Sequence, residues 1–362
     1  MVNRQNEFQP DYAISPGEIL NDELMLRGMT LKELERRTGI TSKHIISILK
    51  AKSIITPETA IKFERALGMP VRYWLNLESN YQEILARQTE AKKLARDLDW
   101  LKRIPVNTMA KLGWLEKIKD KKEQLVRVLR FFGIASVEQW NEMWPNLNIA
   151  YRQTKTHEIF PEAVSAWLRQ GELEATNIAC EPYDKDKFRE ALNQIRGLTT
   201  KTPEHFVPDM QDICADAGVA VVFVPALPKT GVSGATRWIN KNKAIIQLSL
   251  RYKTDDQLWF TFFHEAGHIL LHGKKQLFLE DSNGSDSDKE RQANCFSEEM
   301  LIPAQKFSDF IAKQRLNKAS IISFAKSVGI APGIVVGRLQ YKKILKPEFC
   351  NDLKQRFEWA HE

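Results

Sequence analysis

Apolar positions recur at intervals of three and four through the N-terminal part of the chain, interrupted by helix stops. Pro16 to Arg27 forms the first such run. Thr30 caps Leu31 to Arg37, which stops at Thr38-Gly39, and Thr41 caps Ser42 to Leu49. Pro57 opens a segment whose Ala60, Ile61, Phe63, Ala66 and Leu67 share a face, with Gly68 as its stop. The pattern predicts a small all-helical bundle, in which the two short helices about Thr38-Gly39 read as a helix-turn-helix. Helical spacing continues through Trp100, Trp114, Trp140, Trp144 and Trp167, which read as core residues, while Pro145, Pro161 and Pro182 divide this stretch into several helices. The period then changes. Val219 to Val224 and Ala244 to Leu248 are rich in Val and Ile between Pro225, Pro228 and the Lys241-Asn242-Lys243 turn, and predict strands, with Ser233 to Ile239 the candidate for a third.

Leu258 to Phe263 and Ile269 to Leu271 are bulky and apolar, which predicts a helix buried through most of its circumference. Leu279 to Lys289, with Asn283-Gly284 and alternating Ser and Asp, has the composition of a turn or loop. Helical periodicity resumes over Glu290 to Ile302, with Ala293, Phe296, Met300 and Leu301 marking its apolar side, and ends at Pro303. Ala319 to Lys343 predicts two short helices about Gly329 to Gly333. They are expected to pack beside the chemistry described next.

His264-Glu265-Ala266-Gly267-His268 lies inside the buried helix. Residues i and i+4 share a helix face, so His264 and His268 can reach one metal ion while Glu265 meets a water. Core histidines satisfied by neighbours are the alternative. A catalytic zinc takes a third protein ligand, for which His272, Glu280, the run Asp281 to Asp288 and Glu290 are candidates. His272 stands near the helix end before Gly273-Lys274-Lys275 and reads as a supporting or exposed residue. Glu290 opens the next helix, with Asn294 one turn on and placed to orient a ligand. Gly231-Val232-Ser233-Gly234 would admit the close approach of an extended peptide along an edge strand, or simply form a hairpin loop.

From Gly218 to Gln340 the chain resembles the ImmA/IrrE metallopeptidases: a strand pair, an apolar lead-in, HExGH, and an ExxAN-x-F segment ending in Leu-Ile-Pro. The resemblance implies a zinc endopeptidase with His264, His268 and Glu290 as ligands and Glu265 as general base. Ser297 departs from it, standing where that family usually has Ala. The stretch around the helix-turn-helix, continuing through Leu67 to Tyr81, is similar to the XRE-type domain of HigA-like antitoxins. On the second short helix, Ser42, Lys43, His44 and Ser47 are expected to face DNA opposite Ile45, Ile46 and Leu49, with Thr41 and Lys50 at its two ends.

Charge agrees with that division. Residues 1–130 carry 24 Lys or Arg and 17 Asp or Glu, and the remainder 29 of each, so the whole net +7 lies in the first third. A basic end suits phosphates, although a solvated helix face accounts equally for the excess in Arg87 to Arg130. With 362 residues and 43% hydrophobic content the chain can form two or three folded units. Cys180, Cys214, Cys295 and Cys350 form no Cys-x-x-Cys pair, the N-terminus is polar, and no apolar run reaches the ~18 residues of a membrane span. A cytoplasmic location is expected, with no membrane partner.

The expected fold is mostly α with a small β-sheet. It comprises an all-α helix-turn-helix bundle at 1–82, a helical connector at 83–200, an α+β zincin-like metallopeptidase domain at 201–345 and a C-terminal tail at 346–362. The expected function is a regulator that binds double-stranded operator DNA, as a homodimer on a palindromic site, and uses Zn2+ to cleave a protein in a stress or phage-related response. The substrate would be the chain itself, cut in the connector, or a repressor or antitoxin-like partner. The competing expectation is a non-catalytic antitoxin or repressor whose C-terminal domain only binds metal or a partner.

Overall fold

The computed structural model describes residues 13–144, 160–272, 278–281, 288–312 and 316–359. The chain divides into two compact units, Met1–Leu98 and Asp99–Glu362.

The first unit begins with α1 (Pro16–Leu26), α2 (Leu31–Thr38), α3 (Ser42–Leu49) and α4 (Pro57–Leu67). Each start has a hydroxyl cap: Ser15, Thr30, Thr41 and Thr56 accept from backbone N–H groups of the following first turn, satisfying donors that a helix leaves unpaired. Gly39 ends α2 in the left-handed conformation that only glycine adopts without strain, and so sets the turn between α2 and α3. Leu20, Leu34, Ile45, Phe63 and Trp74 form the core, with the Phe63 and Trp74 rings 5.2 Å apart. Trp74 belongs to α5 (Val71–Leu101), a single helix that runs through the expected boundary at residue 82.

In the second unit, α6 (Val106–Lys111), α7 (Lys121–Phe132) and α8 (Val137–Met143) precede α9 (Pro161–Thr176), α10 (Lys185–Gly197) and α11 (Pro203–Ala215). The sheet follows as β1 (Val219–Phe223), β2 (Val232–Asn240) and β3 (Lys243–Leu248), then α12 (Asp255–Leu271), β4 (Phe278–Asp281), α13 (Asp288–Leu301), α14 (Ala304–Ala312), α15 (Lys318–Val328) and α16 (Pro332–Tyr341). Strand order is β1-β3-β2-β4, with β1 parallel to β3 and β2 antiparallel to both neighbours. Among the described residues no single helix is long and apolar enough to cross a membrane.

Four features differ from the sequence expectations. The helices after Pro161, expected to be part of a connector, dock on the sheet: the Trp167 indole donates to the Val224 carbonyl at 2.9 Å, and buried Gln247 donates to the Trp167 carbonyl at 2.7 Å. The loop expected from Leu279 opens instead with β4, a strand too short to show a period, and α13 starts at Asp288, two residues early. Pairing with β4 makes β2 an internal strand, so the Gly231-Val232-Ser233-Gly234 stretch does not begin an edge strand. The tail also folds back: Asp255 N–H donates to the Gln355 carbonyl and Phe357 N–H to the Lys253 carbonyl, both at 2.9 Å, with the Phe357 ring in the core.

Candidate metal centre

Helix α12 is buried on nearly every side, with Trp259, Phe262, Phe263, Ala266 and Ile269 in the main core. His264, Glu265 and His268 are 1%, 0% and 1% exposed. Polar groups buried so completely need partners, and the two imidazoles lie against Asn294 and Glu290 of α13, with His272 beside His268. His264 Nε2 lies 3.0 Å from His268 Nε2 and 3.1 Å from Glu290 Oε2, and His268 Nε2 lies 3.3 Å from Glu290 Oε1. Ligands each about 2.0–2.1 Å from a tetrahedral ion stand roughly 3.3 Å apart, so these three donor atoms fit a small divalent cation with little movement. Among the described residues no other His, Cys, Asp or Glu side chains are gathered in this way.

The surrounding partners point the ring nitrogens inward. Asn294 Oδ1, an acceptor, is 2.9 Å from His264 Nδ1, which therefore carries the proton and leaves the Nε2 lone pair facing Glu290. His272 Nε2 is 3.3 Å from Gln292 Oε1, and His272 Nδ1 is 2.9 Å from His268 Nδ1. With His272 donating to Gln292, its Nδ1 accepts from His268, and His268 Nε2 is likewise left as a lone pair. Burial pushes His268 and His272 down toward neutral imidazole. Burial alone would push Glu290 up, but the two imidazoles facing it hold it down at about 2. Neutral imidazoles and an ionised carboxylate are the forms that ligate a metal.

Two glycines allow this assembly. A Cβ on Gly267 would stand 3.3 Å from Ala293 Cα and 3.1 Å from the Phe296 ring, so its absence lets α13 close against α12 and bring Glu290 to the histidines. Ser297, fully buried in the same contact, donates to the Phe260 carbonyl at 2.9 Å, which gives this departure from alanine a hydrogen-bonding use. Gly234 of β2 faces Glu265: a Cβ there would lie 2.9 Å from Glu265 Oε1. The close approach anticipated at this glycine is made by the protein's own carboxylate. Thr236 Oγ1 also donates to the Glu265 carbonyl at 3.2 Å. Gln292 did not stand out in the sequence as a site residue, and Gly234 did so only as a place for the approach of a substrate backbone.

A cavity of about 290 Å³ opens beside the triad, with His264, Glu290 and Asn294 on one wall and Tyr252, Ile334 and Arg338 among the residues of the others. Helix α16 thus packs beside the site. Of the other third-ligand candidates, His272 caps the end of α12, and exposed Asp288 pairs with Arg291. The Glu280 side chain and most of the acidic run lie outside the described residues.

In the first unit, Lys43, His44 and Lys50 are exposed on α3 and its cap. Thr41 is exposed and caps α3 through His44 N–H. Two expected contact residues are engaged within the protein: Ser42 Oγ donates to Glu35 at 2.5 Å, and Ser47 Oγ lies 2.7 Å from Ser53 Oγ. Ile46, expected on the packed face, is 37% exposed. The core is served by Ile45 and Ile48, and Ile46, one position beyond Ile45, turns outward with Lys43 and Lys50.

Residues 214–340 match the IrrE N-terminal-like domain, and residues 21–74 match the helix-turn-helix family. The chain is 31% identical over 74 residues to YddM of Escherichia coli, described as an uncharacterised HTH-type transcriptional regulator, covering 20% of this chain and 79% of that protein. It is 32% identical over 77 residues to virulence-associated protein I of Dichelobacter nodosus, covering 21% and 71%. Among solved structures, a HigA-family addiction module antidote protein from Coxiella burnetii is 31% identical, covering 24% of this chain and 94% of its own, with a TM-score of 0.22. The Pseudomonas aeruginosa antitoxin HigA, solved with the higBA promoter, is 28% identical, covering 24% and 95%, with a TM-score of 0.23. The chain belongs to the helix-turn-helix family through residues 21–74 and carries an IrrE N-terminal-like domain over residues 214–340.

Proposed function

We propose that this protein is a DNA-binding regulator whose second unit is a zinc endopeptidase acting on a repressor or antitoxin-like protein, or on the chain itself. The observation that carries the reading is the convergence of His264 Nε2, His268 Nε2 and a Glu290 carboxylate oxygen within 3.0–3.3 Å of one another, next in sequence to a fully buried carboxylate. Zinc held there would supply a Lewis acid that acidifies water and polarises a peptide carbonyl. Glu265 accepts the proton of the attacking water and returns it to the leaving amine as the peptide bond breaks. Asn294 and the His272–Gln292 pair keep the imidazoles in their ligating tautomers, and the cavity beside His264 admits the substrate chain. A kinship with transcriptional regulators and the basic face of α3 support the DNA-binding half.

Elemental analysis and intact mass of the purified full chain test the catalytic half, with the Glu265→Gln chain serving both as control and as a substrate in trans. Zinc is expected in both proteins, and cleavage only where wild-type protein is present. A Glu265→Gln variant that cuts as fast as wild type would overturn the assignment. Zinc binding with no cleavage of the chain or of helix-turn-helix partners would favour the non-catalytic alternative. Wild-type protein that stays at 41.8 kDa while cutting a partner places the substrate in trans.

A further inference from the structure

We propose that Ile46 reads the methyl group of a thymine in the major groove, so that the DNA site of this protein carries a required thymine beneath α3. The inference rests on the DNA-binding reading above and adds a determinant of sequence choice to it. Ile45 and Ile48, 0% and 1% exposed, pin α3 to the core and fix which of its residues turn outward. At helical spacing the outward face runs through Lys43, Ile46, Ser47 and Lys50. The hydroxyls of Ser42 and Ser47 are held by Glu35 and Ser53, so the hydrogen-bonding repertoire of this face falls largely to Lys43, His44 and Lys50.

Between those lysines stands a β-branched apolar side chain, 37% exposed, in a helix whose neighbouring isoleucines are fully packed. Water and phosphate oxygens offer it no favourable contact. The major groove offers one apolar feature, the C5 methyl of thymine, and residues in the early turns of the second helix are those that reach base edges in helix-turn-helix complexes. A second copy of the chain covering Ile46 through a two-fold interface would bring Lys43 and Lys50 against their like-charged equivalents, which favours DNA as the occupant.

The test uses the full chain and a preferred duplex selected from a random-sequence pool. Each thymine is replaced in turn by deoxyuridine, which removes only the methyl group. Burial of one methyl is worth about fourfold in affinity, so wild-type protein should lose about that much at one or more thymines. Ile46→Ala should bind the thymine and uridine duplexes equally while keeping the wild-type dependence on salt. Wild-type affinity unchanged at every uridine, or a uridine effect of the same size in Ile46→Ala, overturns the inference and leaves DNA binding intact. A silent methyl scan together with a changed oligomeric state of Ile46→Ala by light scattering also overturns it and assigns the face to a second copy. A chain that binds no duplex in the pool overturns the DNA-binding reading itself.

Discussion

A methyl group placed on Gly234 would stand 2.9 Å from Oε1 of Glu265 and 2.6 Å from Cγ2 of Thr261. The internal strand β2 therefore presses bare backbone against the carboxylate assigned to proton transfer, and the strand, together with α12, determines where that carboxylate sits. Gly234→Ala should move Glu265 without touching the ligands. Cleavage is expected to fall by about a hundredfold, since a displacement near 1 Å has that effect on reacting groups, with zinc content unchanged and stability lower by about 1–3 kcal/mol. Zinc analysis beside initial cleavage rates checks this; full-speed cleavage would show that the strand does not position the carboxylate.

Asn294 should act on a bound metal through His264. Replacing it by alanine removes the acceptor at 2.9 Å from Nδ1 and frees the ring to rotate or change tautomer. Zinc affinity, measured by competition with a chromophoric chelator, should fall about 10–100-fold, and Asn294→Asp, which keeps an oxygen at that place, should recover most of it. Equal affinity in Asn294→Ala and wild type would leave the asparagine without a role at the centre.

Stability should decline with rising pH in the acidic range because of Asp255. Burial, and next the neighbouring Asp256 carboxylate, push its carboxyl from 3.8 up to about 7. The folded protein then holds a proton there that the unfolded chain has released, so the stabilisation is complete below about pH 4 and is lost as pH rises through about 7. Asp255→Asn mimics the protonated form at every pH. Its thermal midpoint should match wild type near pH 4 and exceed it above pH 7, by an amount worth up to about 4 kcal/mol. Identical pH profiles for the two proteins would refute the assignment.

Lys43 and Lys50 should contact phosphates and carry no sequence information. Each alanine substitution is expected to reduce the slope of log affinity against log salt by about 1 while leaving the selected DNA sequence unchanged. Filter binding over a salt series measures the slope. An altered base preference in Lys43→Ala would move that residue from the backbone to a base edge.

The mostly helical fold with a small sheet was legible from periodicity, because amphipathic helices and Val-rich strands declare themselves over several residues. The gathering of His264 and His268 was legible for the same reason, since four residues make one helical turn. Glu290 required the additional step of laying α13 on α12. What permits that contact, the bare face of Gly267 against Ala293, becomes visible only once both helices are placed. β4 escaped because Phe278–Asp281 is too short for a period and is stabilised by its pairing with β2. The docking of α9 escaped because it depends on Trp167 meeting strands more than fifty residues away. Ile46 was misplaced because adjacent isoleucines look alike in sequence, while a helix turns each by about 100°.

The continuity of α5 bears on when the protein could cut itself. Residues 83–101, the near part of the expected cleavage region, lie within this 31-residue helix, where each interior carbonyl is occupied by an N–H four residues on. A peptidase groove takes its substrate extended, at more than twice the helical rise per residue. A scissile bond in this stretch is therefore latent: the rate of any cut follows the free energy of locally melting α5, and an inducer could govern it by loosening that helix without altering the metal centre at all.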